Sequence, residues 1–141
     1  MREFFDTSVL VAAFWGGHRD HAVSVKILGA AHKTRSACAA HSIAEVYAVM
    51  TALPVRPAIP PEQVLLFVQA MRERLTVVIL DELDHMDATR ETAESGFTSG
   101  RIYDALLLKC AAKVRARAIY TWNIRHFRLI DPGQADKIRT P

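Results

Sequence analysis

Cysteine is nearly absent from this chain. Cys38 and Cys110 are the only two, each among apolar neighbours, so a disulfide framework is excluded and a pair of ordinary buried thiols is expected. Glycine and proline number six each, too few for a collagenous or low-complexity chain. Long hydrophobic runs are missing as well. Stretches such as Val64–Val68 and Val77–Leu80 fall far short of the ~18 residues that a membrane span needs. Met1-Arg2-Glu3-Phe4-Phe5-Asp6 meets acids before a signal-peptide core could form, so the expected location is the cytoplasm. There is no glycine-rich phosphate loop and no Gly-x-Ser-x-Gly elbow. Cys38-x-x-His41 lacks a second pair, and His18-x-x-His21 lacks a third ligand, so neither makes a zinc motif. The excess of positive charge is only +3, compatible with a polyanionic partner without demanding one.

What the chain does have is a 50% apolar composition over 141 residues, enough for one core and one domain spanning residues 1–141. Four prolines (Pro54, Pro57, Pro60 and Pro61) fall within eight positions and predict a long surface loop inside that domain. Short apolar runs alternate with helical patterns. Glu3–Asp6, Thr34–Ala37, Thr76–Leu80, Ala118–Tyr120 and Arg128–Ile130 read as strands. Ser8–Trp15, a segment from Asp20, Ser42–Met50, Val64–Met71, Leu83–Ala93 (ended by Gly96) and Ile102–Val114 read as helices. Strands separated by helices, with no hairpin signal, predict an α/β fold with a central parallel sheet covered on both faces. Ligands of such sheets bind at the carboxyl ends of the strands. Asp6 ends the first strand there, and Asn123 lies just past the Ala118–Tyr120 strand.

Four segments place an acid or amide where apolar residues surround it: Asp6, Glu45, Asp104 and Asn123. Each has an ordinary structural alternative. Asp6 suits a helix N-cap, Ser42-Ile43-Ala44-Glu45 matches a capping box, and Asn123 suits the cap of a turn over Ile124–Phe127. Asp104 could complement the positive end of its helix, yet it shares a face with Leu107, Leu108 and Ala111, which should point inward. A lone buried carboxylate is costly without a cation or a donor. If the acids converge, they repel one another unless protonated or neutralised by a metal. Hard oxygen ligands without His or Cys favour Mg²⁺ or Mn²⁺.

Asp6-Thr7-Ser8 after an opening strand, Glu45 on the third helix, Asp104-Ala105 in a late helix and Thr121-Trp122-Asn123 near the end resemble, in order and spacing, the PIN-domain family. The resemblance is strongest to its VapC-like toxins of type II toxin–antitoxin pairs. It implies a single PIN-like domain with about five short parallel strands flanked by helices. It also implies a Mg²⁺- or Mn²⁺-dependent endoribonuclease that hydrolyses RNA phosphodiesters by in-line attack of an ion-activated water. By position, Asp6, Glu45, Asp104 and Asn123 would be catalytic and metal-binding, with Thr7, Ser8 and Thr121 orienting the carboxylates. Where many relatives carry Asp, this chain carries Asn123, which offers a carbonyl oxygen without charge and points to one ion rather than two. The implied partners are RNA, a VapB-like antitoxin whose C-terminal segment supplies an Arg to the acidic pocket, and a second copy in a homodimer.

Lys109, Lys113, Arg115, Arg117, Arg125 and Arg128 are the candidate contacts to the RNA backbone, their alternative being solvated helix charges. Trp122 is a candidate to stack on a base, or simply to pack. Two other functions remain open at this point. One is a non-catalytic PIN-like module that binds RNA or protein. The other is a haloacid-dehalogenase-like phosphatase, which shares the opening strand and Asp but needs a second Asp where this chain has Ser8.

Overall fold

The computed structural model describes residues 1–141. Five strands form one sheet: β1 (Glu3–Phe5), β2 (Ser36–Ala39), β3 (Thr76–Val78), β4 (Ala118–Tyr120) and β5 (Ile138–Arg139). Their spatial order is β3-β2-β1-β4-β5, and every neighbouring pair is parallel. Seven α-helices connect them: α1 (Thr7–Phe14), α2 (His21–Gly29), α3 (Ala40–Ala52), α4 (Pro61–Arg74), α5 (Glu82–Glu94), α6 (Arg101–Lys113) and α7 (Ile124–Ile130). No helix is long and apolar enough to cross a membrane.

Side chains alternate across the sheet as the strand period of two requires. Phe5 and Cys38 enter one core with Leu10, Val46, Met50 and Met71 of α1, α3 and α4. Phe4, Ala37 and Ala39 enter the other with Leu107, Leu108 and Phe127 of α6 and α7. Both faces are therefore covered, as an all-parallel sheet demands. Cys38 and Cys110 are buried free thiols, and burial pushes both up to about 12, so they are inert apolar packing. Gly96 ends the fifth-helix segment at φ 73°, a left-handed conformation that glycine adopts without strain.

Two local expectations are corrected. Arg128–Ile130 is the end of helix α7 and not a strand, and the last strand is Ile138–Arg139. Ile124 and Phe127 are spaced i, i+3, and Phe127 is fully buried, so the helical period prevails over a three-residue apolar run that cannot distinguish the two. The capping box at Ser42–Glu45 does not form. Helix α3 begins at Ala40, which puts Ser42 inside its first turn, where the buried hydroxyl accepts from Thr7 Oγ1 at 2.9 Å. That bond ties α1 to α3 beneath the site. Ser42→Ala removes the acceptor from a buried donor and is expected to lower stability by about 1–2 kcal/mol, read as a fall in the urea midpoint at constant m-value.

An acidic cavity at the switch point of the sheet

From β1 the chain moves outward through β2 to β3, then crosses back to β4 on the other side of β1. The direction of winding reverses between β1 and β4, and a crevice opens at their carboxyl ends. Asp6 follows β1 directly, and Asn123 lies three residues past β4. Helix α3 contributes Glu45 from its middle, and α6 contributes Asp104 from its first turn. All four line one cavity of about 360 Å³, together with Thr7, Ser8, Val11, Trp15, His18, Val49 and Leu53.

Asp6 is 2% exposed, and two hydroxyls hold it. Ser8 Oγ donates to Asp6 Oδ2 at 2.6 Å, and Thr121 Oγ1 donates to the same oxygen at 2.7 Å. The donors are themselves fixed: Ser8 Oγ accepts the Trp122 N–H at 3.0 Å, and Thr121 Oγ1 accepts the Asn123 N–H at 2.9 Å. Asp6 occupies the N-cap position of α1 without a side-chain capping bond, and its Oδ2 is taken up by the two hydroxyls of the cavity network. Asn123 likewise precedes α7 without capping it. Glu45 Oε2 lies 2.8 Å from His41 Nε2, one helical turn earlier. Leu107, Leu108 and Ala111, behind Asp104, are buried as its helical face predicts.

The acids act on one another electrostatically. Burial raises the Asp6 carboxyl above its usual range, opposed by Ser8 and Thr121. Glu45 is raised by burial, lowered by His41 and raised again by the charge of Asp6. Asp104 is raised to about 6 by burial and then by the charges of Asp6 and Glu45, with Arg101 opposing. Three carboxylates from three distant segments thus disfavour one another's ionisation. No group of three or more His, Cys, Asp or Glu side chains forms a ready-made metal cage. The donor set nevertheless fits a hard divalent cation, because such an ion takes few carboxylates, fills its shell with water and relieves the mutual repulsion.

Several residues at or near this cavity escaped the sequence reading. His18, with Trp15, lines the wall. Its Nδ1 accepts the Asp20 N–H at 3.0 Å, so a neutral ring carries its proton on Nε2. His41, which clamps Glu45, stacks on Tyr103 with ring centroids 5.1 Å apart. His18, three residues before His21, carries no sign of which wall it will join, but the i, i+4 spacing of His41 and Glu45 on one helix was a signal available in the sequence. Trp122 packs against the first core while its Nε1 donates to Ser24 Oγ at 3.0 Å, so it is a structural side chain.

The six cationic candidates disperse. Lys109 and Lys113 pair with Glu91 and Asp84 on α5. Arg115 and Arg117 follow the far end of α6, at the amino-terminal edge of the sheet and opposite the cavity. Arg128 Nη2 donates to the Ile138 carbonyl at 2.8 Å, yet with Arg101, Arg125 and His126 it lines a basic groove.

The PIN domain family model matches residues 4–131. Ribonuclease VapC40 of Mycobacterium tuberculosis is 32% identical over 121 residues, covering 85% of both chains. Among solved structures, M. tuberculosis VapC20, a Sarcin-Ricin loop cleaving toxin, superposes with a TM-score of 0.69 at 17% identity, over 86% of this chain and 89% of that one. Rickettsia felis VapBC2, bound to a promoter DNA fragment, gives 0.68 at 17% identity over 100% and 99%. The structural likenesses bear on the fold alone, whereas the family model and the 32% identical relative extend over most of the sequence: this chain belongs to the PIN domain family.

Proposed function

We propose that this chain, acting as one nuclease domain in the cytoplasm, is a Mg²⁺- or Mn²⁺-dependent endoribonuclease and the toxin of a toxin–antitoxin pair. The observation that carries this reading is the convergence of Asp6, Glu45 and Asp104 in one cavity, where each raises the cost of ionising the next. A phosphodiester entering a cavity of three carboxylates would be repelled, so a divalent cation is needed between them. Asp6, Glu45 and Asp104 would hold the ion, and Asn123 would offer a neutral carbonyl oxygen, which favours one ion over two. When bound, the cation supplies charge neutralisation at the phosphate and activation of water for hydrolysis.

The remaining groups set geometry. Ser8 and Thr121 fix the plane of the Asp6 carboxylate through a single oxygen. Thr7 braces α1 against α3 close to Glu45 through its bond to Ser42. His41 restrains the Glu45 carboxylate from the opposite side. Arg125 and Arg128 of the six sequence candidates, joined by Arg101, which the sequence reading did not include, form the flank suited to backbone phosphates.

Two findings support a protein partner. Tyr47, Val49, Leu65 and Leu66 are exposed on α3 and α4. Val49 and Leu53 carry that apolar surface to the cavity wall. A VapB-like antitoxin segment lying there could bring a cation over the carboxylates, and the same helices could serve a homodimer. The mycobacterial relative is named a ribonuclease, and the Rickettsia structure holds toxin with antitoxin.

The test is incubation of the purified chain with RNA in Mn²⁺, Mg²⁺ or EDTA. Cleavage is expected with either ion and none in EDTA; cleavage indifferent to EDTA would exclude the reading. The second reading, a binding-only module, is favoured by the uncharged Asn123, and it would retain RNA without cutting it under any ion.

A further inference from the structure

A second cleft, of about 390 Å³, shares Glu45 and Asp104 with the acidic cavity and is otherwise lined by His41, Ala44, Ala48, Gly100 and Tyr103. We propose that this cleft receives one unpaired nucleobase of the RNA, stacked against the Tyr103–His41 ring pair beside the reactive phosphate. The inference rests on the reading that RNA is the substrate, and adds where the strand lies.

The ring pair is preorganised. Tyr103 and His41 are parallel to within 8°, and Tyr103 still exposes 51% of its surface. Its neighbours are small. Ala44 and Ala48 are one turn apart on α3, and a Cβ placed on Gly100 would reach only to 3.9 Å from the Tyr103 ring. A planar ring therefore has room, and a third aromatic face can extend the stack.

The charge layout gives the occupant. No lysine or arginine lines the cleft, and Glu45 and Asp104 border it, so a phosphate is excluded while a neutral base is not. Large aliphatic side chains are missing too, so apart from the two flat rings a protein's apolar anchor would find only alanines, a lining that suits a planar ring better than a branched side chain. The cations lie on the other flank of the acids, where Arg101, Arg125 and Arg128 line a groove and Arg101 is braced over Phe97 at 5.2 Å. Helix α6 orders these groups around its axis. With 3.6 residues per turn, Asp104 lies about 60° round from Arg101, and Tyr103 about 100° further in the same direction. A strand crossing the first turn of α6 would meet cation, acid and aromatic ring in succession. Its backbone would lie on the arginines, one phosphate over the carboxylates, and the next base against Tyr103.

The experiment uses the full chain and a single-stranded oligoribonucleotide carrying 2-aminopurine, with Ca²⁺ as the only divalent ion. Anisotropy gives affinity, and 2-aminopurine quenching reports stacking. Tyr103→Ala is expected to weaken binding about tenfold and to abolish quenching, whereas Tyr103→Phe, which keeps the ring, should match the parent. Parental affinity and quenching in Tyr103→Ala would overturn the proposal. So would unchanged RNA affinity accompanied by loss of self-association in sedimentation, which would assign the ledge to contact between copies. Cleavage in Mn²⁺ separates the two readings. A parent that cleaves while Tyr103→Ala binds equally well removes the base site alone; a parent that neither cleaves nor binds removes both.

Discussion

Asp6→Asn is expected to reduce Mn²⁺-dependent RNA cleavage on the order of a thousandfold while leaving the protein as stable as the parent, or more so, in EDTA. The two effects have one cause. Asp6 is the most deeply buried of the three acids, and burial opposes its ionised form. Ionised there, Asp6 is a charge that a chain selected for stability alone would not keep. An asparagine oxygen can accept from Ser8 and Thr121 as Oδ2 does, so the hydroxyl network survives and the strand end keeps its shape. What vanishes is the negative charge that recruits a cation. Thermal melting in EDTA and a gel-based cleavage assay measure the two sides. A variant that cleaves as fast as the parent would remove Asp6 from the chemistry. One that loses activity only because it melts well below the parent would make Asp6 a structural residue.

Much of this site was legible because topology and polarity pointed the same way. Asp6 and Asn123 fall at the carboxyl ends of β1 and β4, the two strands that flank the reversal of winding, and apolar runs alone located both ends. Asp104 stood out because the residues that share its helical face are leucine and alanine, and those are buried. Glu45 was harder, since Ser42-Ile43-Ala44-Glu45 also spells a capping box. The helix starts two residues earlier because Ala39 still belongs to β2, and no sequence motif marks that boundary. The real capping box, between Asp81 and Asp84, uses Asp where the usual pattern has Glu or Gln. The cationic residues were least legible. Lys109 and Lys113 recur at i, i+4 on one side of α6, and only the packed structure reveals that α5 answers that side with Glu91 and Asp84. His18 and Tyr103 join the site through tertiary proximity, which periodicity does not encode, whereas His41 stands four residues before Glu45 on α3, a spacing that helical periodicity does place on one face.

Divalent cations are expected to stabilise the protein increasingly as pH rises from about 5 to 7.5, and Asp104→Asn should remove most of that dependence. The sign follows from the direction of the shifts. Asp6, Glu45 and Asp104 all have carboxyls raised in the folded state, Asp104 to about 6. A raised acid contributes stability that is complete below its unfolded value and is lost as pH climbs through its folded value. In EDTA the melting temperature should therefore fall between pH 4 and 7. Converted in full, the Asp104 shift would amount to about 3 kcal/mol. Asp104 is only partly buried, so solvent screening reduces this to roughly 1–2 kcal/mol, or several degrees for a chain of this size. Saturating Mg²⁺ or Mn²⁺ opposes the fall, since the ion binds the carboxylates only after their protons leave. At a hundredfold excess over Kd the ion adds about 2.7 kcal/mol, on the order of 5–10 °C. Below pH 5 the same ion should add little, because Asp104 still holds its proton. Melting curves in EDTA and in Mn²⁺ across this range measure the difference directly. A cation effect that is flat with pH, or intact in Asp104→Asn, would mean that the ion binds away from these carboxylates.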